Sequence, residues 1–272
     1  MITGASGGIG LATTRALAAA GWNVIATARR PEMAESLRKV VDESPGVELM
    51  ALDVTSDESV DSCIGSILDE RGRIDLLVNN AGAGHRGTLE QLTVGELSQV
   101  MELNFFGVAR VTKAVLPAMR AARAGRVITV TSLNGVVALP FSDAYNAAKF
   151  AVEGLMESLA TVMLEFGVHI SVLEPGPVRT AFFANVGGHV NNVNGDDPYA
   201  ELINRFNERM TDLGSGGQSA ESVAEVIRDI AADPSPALRY QSSEQSRIIA
   251  AQKLVDTTGR SILEATGTLL RP

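Results

Sequence analysis

Tyr145 and Lys149 stand four residues apart, and Ser132 lies thirteen residues before the tyrosine. On a helix, positions four apart share one face, so phenol and ammonium become neighbours one turn apart. Such a trio suits carbonyl chemistry. Hydride delivery to a carbonyl carbon leaves an alkoxide that must take up a proton. A tyrosine with a pKa of about 10 exchanges that proton reversibly only if its phenolate is stabilised. A neighbouring ammonium, and the positive ring of an oxidised nicotinamide, would lower the phenol's pKa. A serine hydroxyl can polarise the carbonyl oxygen. Tyr-x-x-x-Lys by itself is common in structural helices, and it becomes informative with the serine at this interval and a glycine turn upstream.

That turn reads Thr3-Gly4-Ala5-Ser6-Gly7-Gly8-Ile9-Gly10. Glycines let the backbone turn tightly and approach a pyrophosphate, which then faces the first N–H groups of the following helix. Gly4, Ser6, Gly8, Ile9 and Gly10 are the expected contacts, although glycine-rich turns open many helices. The second strand ends in Thr27-Ala28-Arg29-Arg30, where an NAD-selective site places an acid. A guanidinium can grip a 2′-phosphate, so NADP(H) is expected rather than NAD(H), with Arg29 as the contact. The plainer reading makes both arginines surface residues at the next helix. Asp53-Val54 ends the third strand, where a carboxylate can accept the adenine amino hydrogens. Asn79-Asn80-Ala81-Gly82 ends the fourth, at the carboxyl edge where open α/β sheets bind ligands, though it is equally a good turn.

These residues need a scaffold. Short apolar, β-branched runs at 24–27, 47–52, 76–79, 127–131, 170–173 and near 238–241 alternate with helical-period segments at 9–20, 33–43, 56–71, 94–123 and 144–166. The alternation predicts an α/β fold, a single Rossmann-like doubly wound parallel sheet with helices on both faces. One domain spans 1–272, with a substrate lid or loop region at about 182–215 and a helical C-terminal tail at about 242–272. The Gly- and Asn-rich stretch 184–197 reads as a mobile loop, either a lid or a plain surface loop. The first strand, central in such a sheet, is reduced to Met1–Thr3. Either a few preceding residues are missing, or the stub still pairs.

The 272 residues, 45% hydrophobic and 20% charged, suit one large core without disulfide or metal. The single cysteine, Cys63, makes a reducing compartment the default and reads as a small part-buried helix residue rather than a reactive thiol. A net charge of −9 argues against nucleic acid, and Arg120, Arg123 and Arg126 read as a solvated helix end. No stretch reaches the ~18 apolar residues of a membrane span, and no secretory signal is visible, so a cytoplasmic location is expected. His85, His169 and His189 lack metal-ligand spacing, and no metal is expected. His169 reads as structural, while His85 follows the Asn-Asn-Ala-Gly turn and is a candidate for substrate contact.

From Thr3 to about Tyr240 the chain resembles the short-chain dehydrogenase/reductase family. The resemblance implies a catalytic set of Asn104, Ser132, Tyr145 and Lys149. Asn104, within Leu103-Asn104-Phe105-Phe106-Gly107, matches the family's helix asparagine, which holds a water linking to the lysine. Tyr145 and Lys149 also stand among the implied cofactor contacts, the lysine on the nicotinamide ribose hydroxyls. Pro175-Gly176-Pro177-Val178-Arg179-Thr180 matches the segment that binds the carboxamide, giving roles to Pro175, Gly176, Val178 and Thr180. Leu139-Pro140-Phe141, Phe150-Ala151-Val152-Glu153-Gly154-Leu155 with Glu157-Ser158-Leu159-Ala160, Phe166-Gly167-Val168-His169 and Thr180-Ala181-Phe182 resemble the 17-beta-hydroxysteroid dehydrogenase type 1 and retinol dehydrogenase branch. That branch uses NADP(H), with an arginine matching Arg29, and implies a bulky apolar alcohol or ketone. Its substrate-recognising histidine has no counterpart in 197–209. The family implies a homodimer or homotetramer formed through the helices at 94–123 and 144–166.

The expected function is an NADP(H)-dependent oxidoreductase interconverting a carbonyl and a secondary alcohol. A 3-oxoacyl-thioester reductase on the same scaffold ranks lower, because such chains usually stop soon after the last strand. A non-catalytic NADPH-binding regulator would need no Ser132-Tyr145-Lys149 set.

Overall fold

The runs at 76–79 and 127–130 are buried along their length, as strands covered on both faces are, and so read as near-continuous apolar stretches. In the computed structural model, which describes residues 1–182, 186–188, 197–255 and 267–268, the strands are β1 (Val24–Ala28), β2 (Val47–Ala51), β3 (Leu76–Asn79), β4 (His85–Arg86), β5 (Gly125–Val130), β6 (Val168–Glu174), β7 (Val178–Arg179), β8 (Gly187–Gly188), β9 (Gln218–Ser219) and β10 (Arg239–Gln241). The helices are α1 (Gly8–Ala19), α2 (Glu35–Glu43), α3 (Asp57–Arg71), α4 (Val94–Met101), α5 (Gly107–Ala122), α6 (Asp143–Leu164), α7 (Ala200–Ser215), α8 (Ala220–Ala232) and α9 (Glu244–Val255).

The stub pairs. Ile2 makes parallel bridges to Ala26 and Val78, joining β2-β1 on one side to β3-β5-β6-β10 on the other. Ile2 N donates to Ile25 O at 2.8 Å, Thr27 N to Ile2 O at 2.9 Å, and Thr3 N to Val78 O at 3.0 Å. Three residues thus carry the central strand, and Ile2 is fully buried there. The strands of this sheet pair in parallel. Leu17 of α1, Leu37 of α2 and Ile227 of α8 cover one face. Val60 and Ile64 of α3, Val111 and Val115 of α5, and Val152 and Met156 of α6 cover the other. Cys63 lies in that second layer, where burial pushes its thiol up, away from the thiolate a reactive cysteine needs.

The single helix expected over 94–123 is corrected by the structure. It is interrupted by a π-helical turn, Glu102–Phe106, between α4 and α5. There the Gly107 N–H donates to Glu102 O, five residues back. Such widened turns cluster at functional sites, and this one holds the buried Asn104. Gly107 has a packing reason as well, since a β-carbon on it would meet Val54 Cγ2 at 2.8 Å. The helix expected from residue 33 begins at Glu35, after a 3-10 turn at Pro31–Met33. The region 182–215 is not loop throughout, because its second half is the sixteen-residue helix α7. Of the loop at 184–197, residues 184–185 and 189–196, including His189, lie outside the described residues. The tail is helical over α9, and residues 256–266 and 269–272 lie outside the described residues.

Candidate active site

The carboxyl ends of the sheet open onto a cleft of about 530 Å³. Its floor is built by interlocking the glycine turn with the end of β3. Thr3 Oγ1 accepts from the backbone N–H groups of Asn80 (2.9 Å) and Ala81 (3.0 Å). Asn80 Nδ2 returns bonds to Thr3 O (3.0 Å) and Gly4 O (2.9 Å). Gly4 has φ +64, and a β-carbon there would lie 2.8 Å from Ala81 Cα, so only glycine fits. Gly7, at the N-cap of α1, makes no side-chain cap bond. The first N–H groups of a 12-residue helix are thereby left for a ligand, an arrangement that favours phosphate. The cradle fits a dinucleotide pyrophosphate.

Of the residues singled out in the sequence, Gly4, Ser6, Gly8, Ile9, Arg29, Asp53, Val54, Asn80, Ala81, Gly82, Asn104, Ser132, Tyr145, Lys149, Pro175, Gly176, Val178 and Thr180 all line this cleft. Gly10 is the exception. A β-carbon there would lie 2.4 Å from Gly4 O and 2.5 Å from Asn80 Nδ2, so its lack of a side chain lets α1 pack behind the turn. Arg29 is exposed at the rim. Asp53 Oδ1 accepts from Thr55 N (3.0 Å) and Thr55 Oγ1 (2.7 Å). Those bonds, with Arg29 and Arg110 contributing, hold the carboxyl below its ordinary value.

The four chemistry-bearing residues come from three elements. Ser132 follows β5 in extended backbone, its Oγ accepting from Asn134 N at 3.1 Å. Asn134 Nδ2 donates to Asn146 Oδ1 at 2.8 Å, and Asn146 Nδ2 to Leu139 O at 2.8 Å. The serine turn is thus tied to the first turn of α6, which carries Tyr145 and Lys149. The sequence reading passed over Asn134 and Asn146. Tyr145 is 8% exposed and hydrogen-bonded to Ser132. Burial pushes the phenol up to about 12, against the pull of the Ser132 bond. Lys149 Nζ sits 5.6 Å from the Tyr145 ring centroid.

Lys149 is 4% exposed, and its Nζ donates to Val130 O at 3.2 Å. Burial draws the ammonium down to about 8, opposed by the charge of Glu153. Asn104 Oδ1 accepts from Ala83 N at 3.2 Å, while Nδ2 donates to Ala83 O and Val100 O. A β-carbon on Gly82 would lie 2.8 Å from Asn104 Oδ1 and 3.7 Å from Lys149 Nζ, so both groups flank that glycine. Behind Lys149, Arg239 pairs with Glu153, Glu174 and the more exposed Glu157. Burial, reinforced by Glu174, pushes Glu153 up to about 7.

The segment from Pro175 to Thr180 is anchored by Leu133 N to Pro175 O at 2.9 Å and by pairing of Val178 with Gln218. Beyond Tyr145 the cleft turns apolar. Phe182 lies 6.0 Å from the Tyr145 ring, and Leu139, Val186, Phe206 and Met210 complete this end. Phe141, held at φ +57, packs on Phe206 at 5.4 Å. His85 and Arg86 line the same end. The sequence reading gave no role to Arg86, Phe206 or Met210, because α7 and β4 had not been placed. His169 stands on β6, paired with Arg126 of β5. No helix among the described residues is long and apolar enough to cross a membrane.

Comparison with known proteins agrees with this geometry. The family model for short chain dehydrogenases matches residues 1–190. Retinol dehydrogenase 8 from Homo sapiens is 36% identical, the match covering 99% of this chain and 89% of that protein. The 17-beta-hydroxysteroid dehydrogenase type 1 from Homo sapiens is also 36% identical, over 97% of this chain and 83% of its own length. Among solved structures, a short-chain dehydrogenase from Streptomyces avermitilis superposes with a TM-score of 0.83 at 33% identity, covering 98% of this chain and 95% of that one. An alcohol dehydrogenase from Thermococcus sibiricus complexed with 5-hydroxy-NADP gives a TM-score of 0.71 at 26% identity, covering 88% of this chain and 94% of that one. A nicotinamide-dependent oxidoreductase acting on CH–OH groups, the chain belongs to the short-chain dehydrogenase family.

Proposed function

We propose that this protein is an NADPH-dependent carbonyl reductase, reversible as an alcohol dehydrogenase, acting on a bulky apolar ketone or alcohol. The observation that carries the reading is the buried Tyr145 phenol, hydrogen-bonded to Ser132 and backed by Lys149, on a cleft that begins at a phosphate cradle. When bound, the nicotinamide supplies or accepts the hydride. The chain's own residues do the rest. With its pKa pushed up to about 12, Tyr145 holds its proton at neutral pH, the state a donor to a nascent alkoxide needs. Ser132 Oγ orients and polarises the carbonyl oxygen. Lys149 places a positive charge beside the phenolate formed as the proton leaves, and binds the ribose hydroxyls. Asn104 supports the proton path from the π-helical turn.

Gly4, Ser6, Gly8 and Ile9 take the pyrophosphate, Asp53 and Val54 the adenine, and Asn80, Ala81 and Gly82 the adjoining ribose side. Pro175, Gly176, Val178 and Thr180 take the carboxamide. Arg29 selects the 2′-phosphate, and the NADP analogue in the Thermococcus sibiricus relative supports that preference. The segment after Phe182, with α7, serves as the substrate lid. A cytoplasmic homodimer or homotetramer remains part of the proposal. The apolar lining beyond Tyr145 supports a bulky substrate over a 3-oxoacyl thioester. Screening NADPH oxidation against steroid, retinoid, aromatic and aliphatic ketones and a 3-oxoacyl thioester tests the reading. Turnover of ketones with little of the thioester is the expected result. NADPH binding without turnover of any would favour the regulator.

A further inference from the structure

Arg86 sits on β4, within the apolar end of the cleft. A guanidinium carries five N–H donors, and the deeper a cation is buried, the more it needs partners for its charge. Arg86 is half-buried, and among the described residues its guanidinium hydrogen-bonds from Nη1 to the neutral Asn207 Oδ1, at 3.1 Å. The face of its guanidinium lies 5.3 Å from the Phe206 ring centroid. Among the described residues no carboxylate forms an ion pair with it. Burial pulls it below the ordinary arginine value, with no acidic neighbour raising it. Other cleft-facing cations are accounted for. Lys149 belongs to the reacting end, and Arg29 lies at the cofactor rim.

An apolar cleft end carrying a guanidinium with no carboxylate partner among the described residues matches one kind of ligand. Its body is hydrocarbon, and its far end is an anion able to accept two parallel N–H bonds. We propose that Arg86 binds a carboxylate on the substrate, so that the physiological ketone or alcohol is an amphipathic acid rather than a neutral lipid. The substrate's carbonyl lies at Ser132 and Tyr145. Its chain runs along Phe182, Leu139, Phe206 and Met210, and its carboxylate meets the guanidinium fork. This assignment rests on the carbonyl-reductase reading and narrows it to a substrate class.

The test compares aliphatic methyl-ketone carboxylates of graded chain length with their methyl esters, as substrates of the full chain with NADPH. For at least one length, kcat/KM for the carboxylate should exceed that of its ester about tenfold, roughly 1.4 kcal/mol. In Arg86→Met, which keeps the stem over Phe206, the ratio should collapse to about one. Arg86→Lys, which keeps charge but loses the fork, should restore part of it. A merely structural arginine would lower both substrates together and leave the ratio unchanged. Equal turnover of acid and ester at every length, or an unchanged ratio in Arg86→Met, overturns the assignment. If no ketone is reduced although NADPH binds, the reductase reading fails and Arg86 is judged by binding alone. Decanoate should then bind the NADPH complex more tightly than methyl decanoate, and only when Arg86 is present. Equal affinities would reject the carboxylate site.

Discussion

Replacing Lys149 by methionine should make the protein more stable near neutral pH while removing its activity. Burial lowers this ammonium from 10.5 to about 8, which at 1.36 kcal/mol per pH unit corresponds to roughly 3 kcal/mol. Between those pH values the unfolded chain holds the proton that the folded protein has released. Wild-type stability therefore rises with pH across that window, and below pH 8 the full cost is present. Methionine removes the charge. It also removes the bond from Nζ to Val130 O, worth about 1 kcal/mol, and the compensation that Lys149 gives Glu153. The net expectation near pH 7 is a variant more stable by on the order of 1–2 kcal/mol. By pH 10.5 wild type should have recovered roughly 3 kcal/mol relative to the variant. The titration of Tyr145, pushed up to about 12, is common to both proteins and cancels in the difference. Urea unfolding of both proteins across the window, with NADPH oxidation assayed in parallel, measures this. A variant less stable at pH 7, with a difference flat in pH, would refute the reasoning.

If the Lys149 ammonium is needed beside the nascent phenolate, kcat/KM for ketone reduction should be level below pH about 8 and fall above it, since rising pH removes the charge; initial rates across that range check it. Arg29→Asp should weaken NADPH relative to NADH by roughly 1.5–3 kcal/mol, the worth of a charge-assisted bond, read as a change in the ratio of dissociation constants. Arg239→Met strands Glu153 and Glu174, whose side chains are 6% and 1% exposed. It should cost roughly 3 kcal/mol at pH 8, the low end for a buried pair, since Arg239 is itself 28% exposed. The cost should shrink at pH 5, where Glu153, pushed up to about 7, holds a proton and no longer presents a stranded charge; urea unfolding at both pH values measures it.

What could be read from the sequence was whatever depends on local pattern. Strand runs such as residues 76–79 and 24–27 were legible because burial on both faces leaves an uninterrupted apolar stretch. The Tyr145-to-Lys149 spacing was legible because helix geometry fixes it. The π-helical turn at Asn104 was not, since a helical reading runs through residues 94–123 and Gly107, which closes the turn, does not by itself distinguish a widened turn from a packing glycine. The three-residue central strand was ambiguous for the opposite reason. Its pairing depends on Ala26 and Val78, which lie far away in sequence. Gly10 resembled its neighbours in the motif, and only the approach of Gly4 O and Asn80 Nδ2 separates a packing glycine from a cleft glycine. The proximity of Lys149 to Tyr145 can be read from spacing, whereas the desolvation that pushes the phenol up depends on the whole surrounding fold. Arg86 carried no signal, being one arginine after a turn until β4 and α7 enclose it.

The account stands on the Tyr145 phenol as the proton donor. Tyr145→Phe removes one oxygen from a buried ring and leaves the Phe182 contact and the phosphate cradle in place. Single-turnover reduction of a ketone identified by the screen should slow by about 10²–10⁴-fold, the scale of a lost general acid, while NADPH fluorescence shows the cofactor still bound. Reduction by the variant at a rate near that of wild type would contradict it.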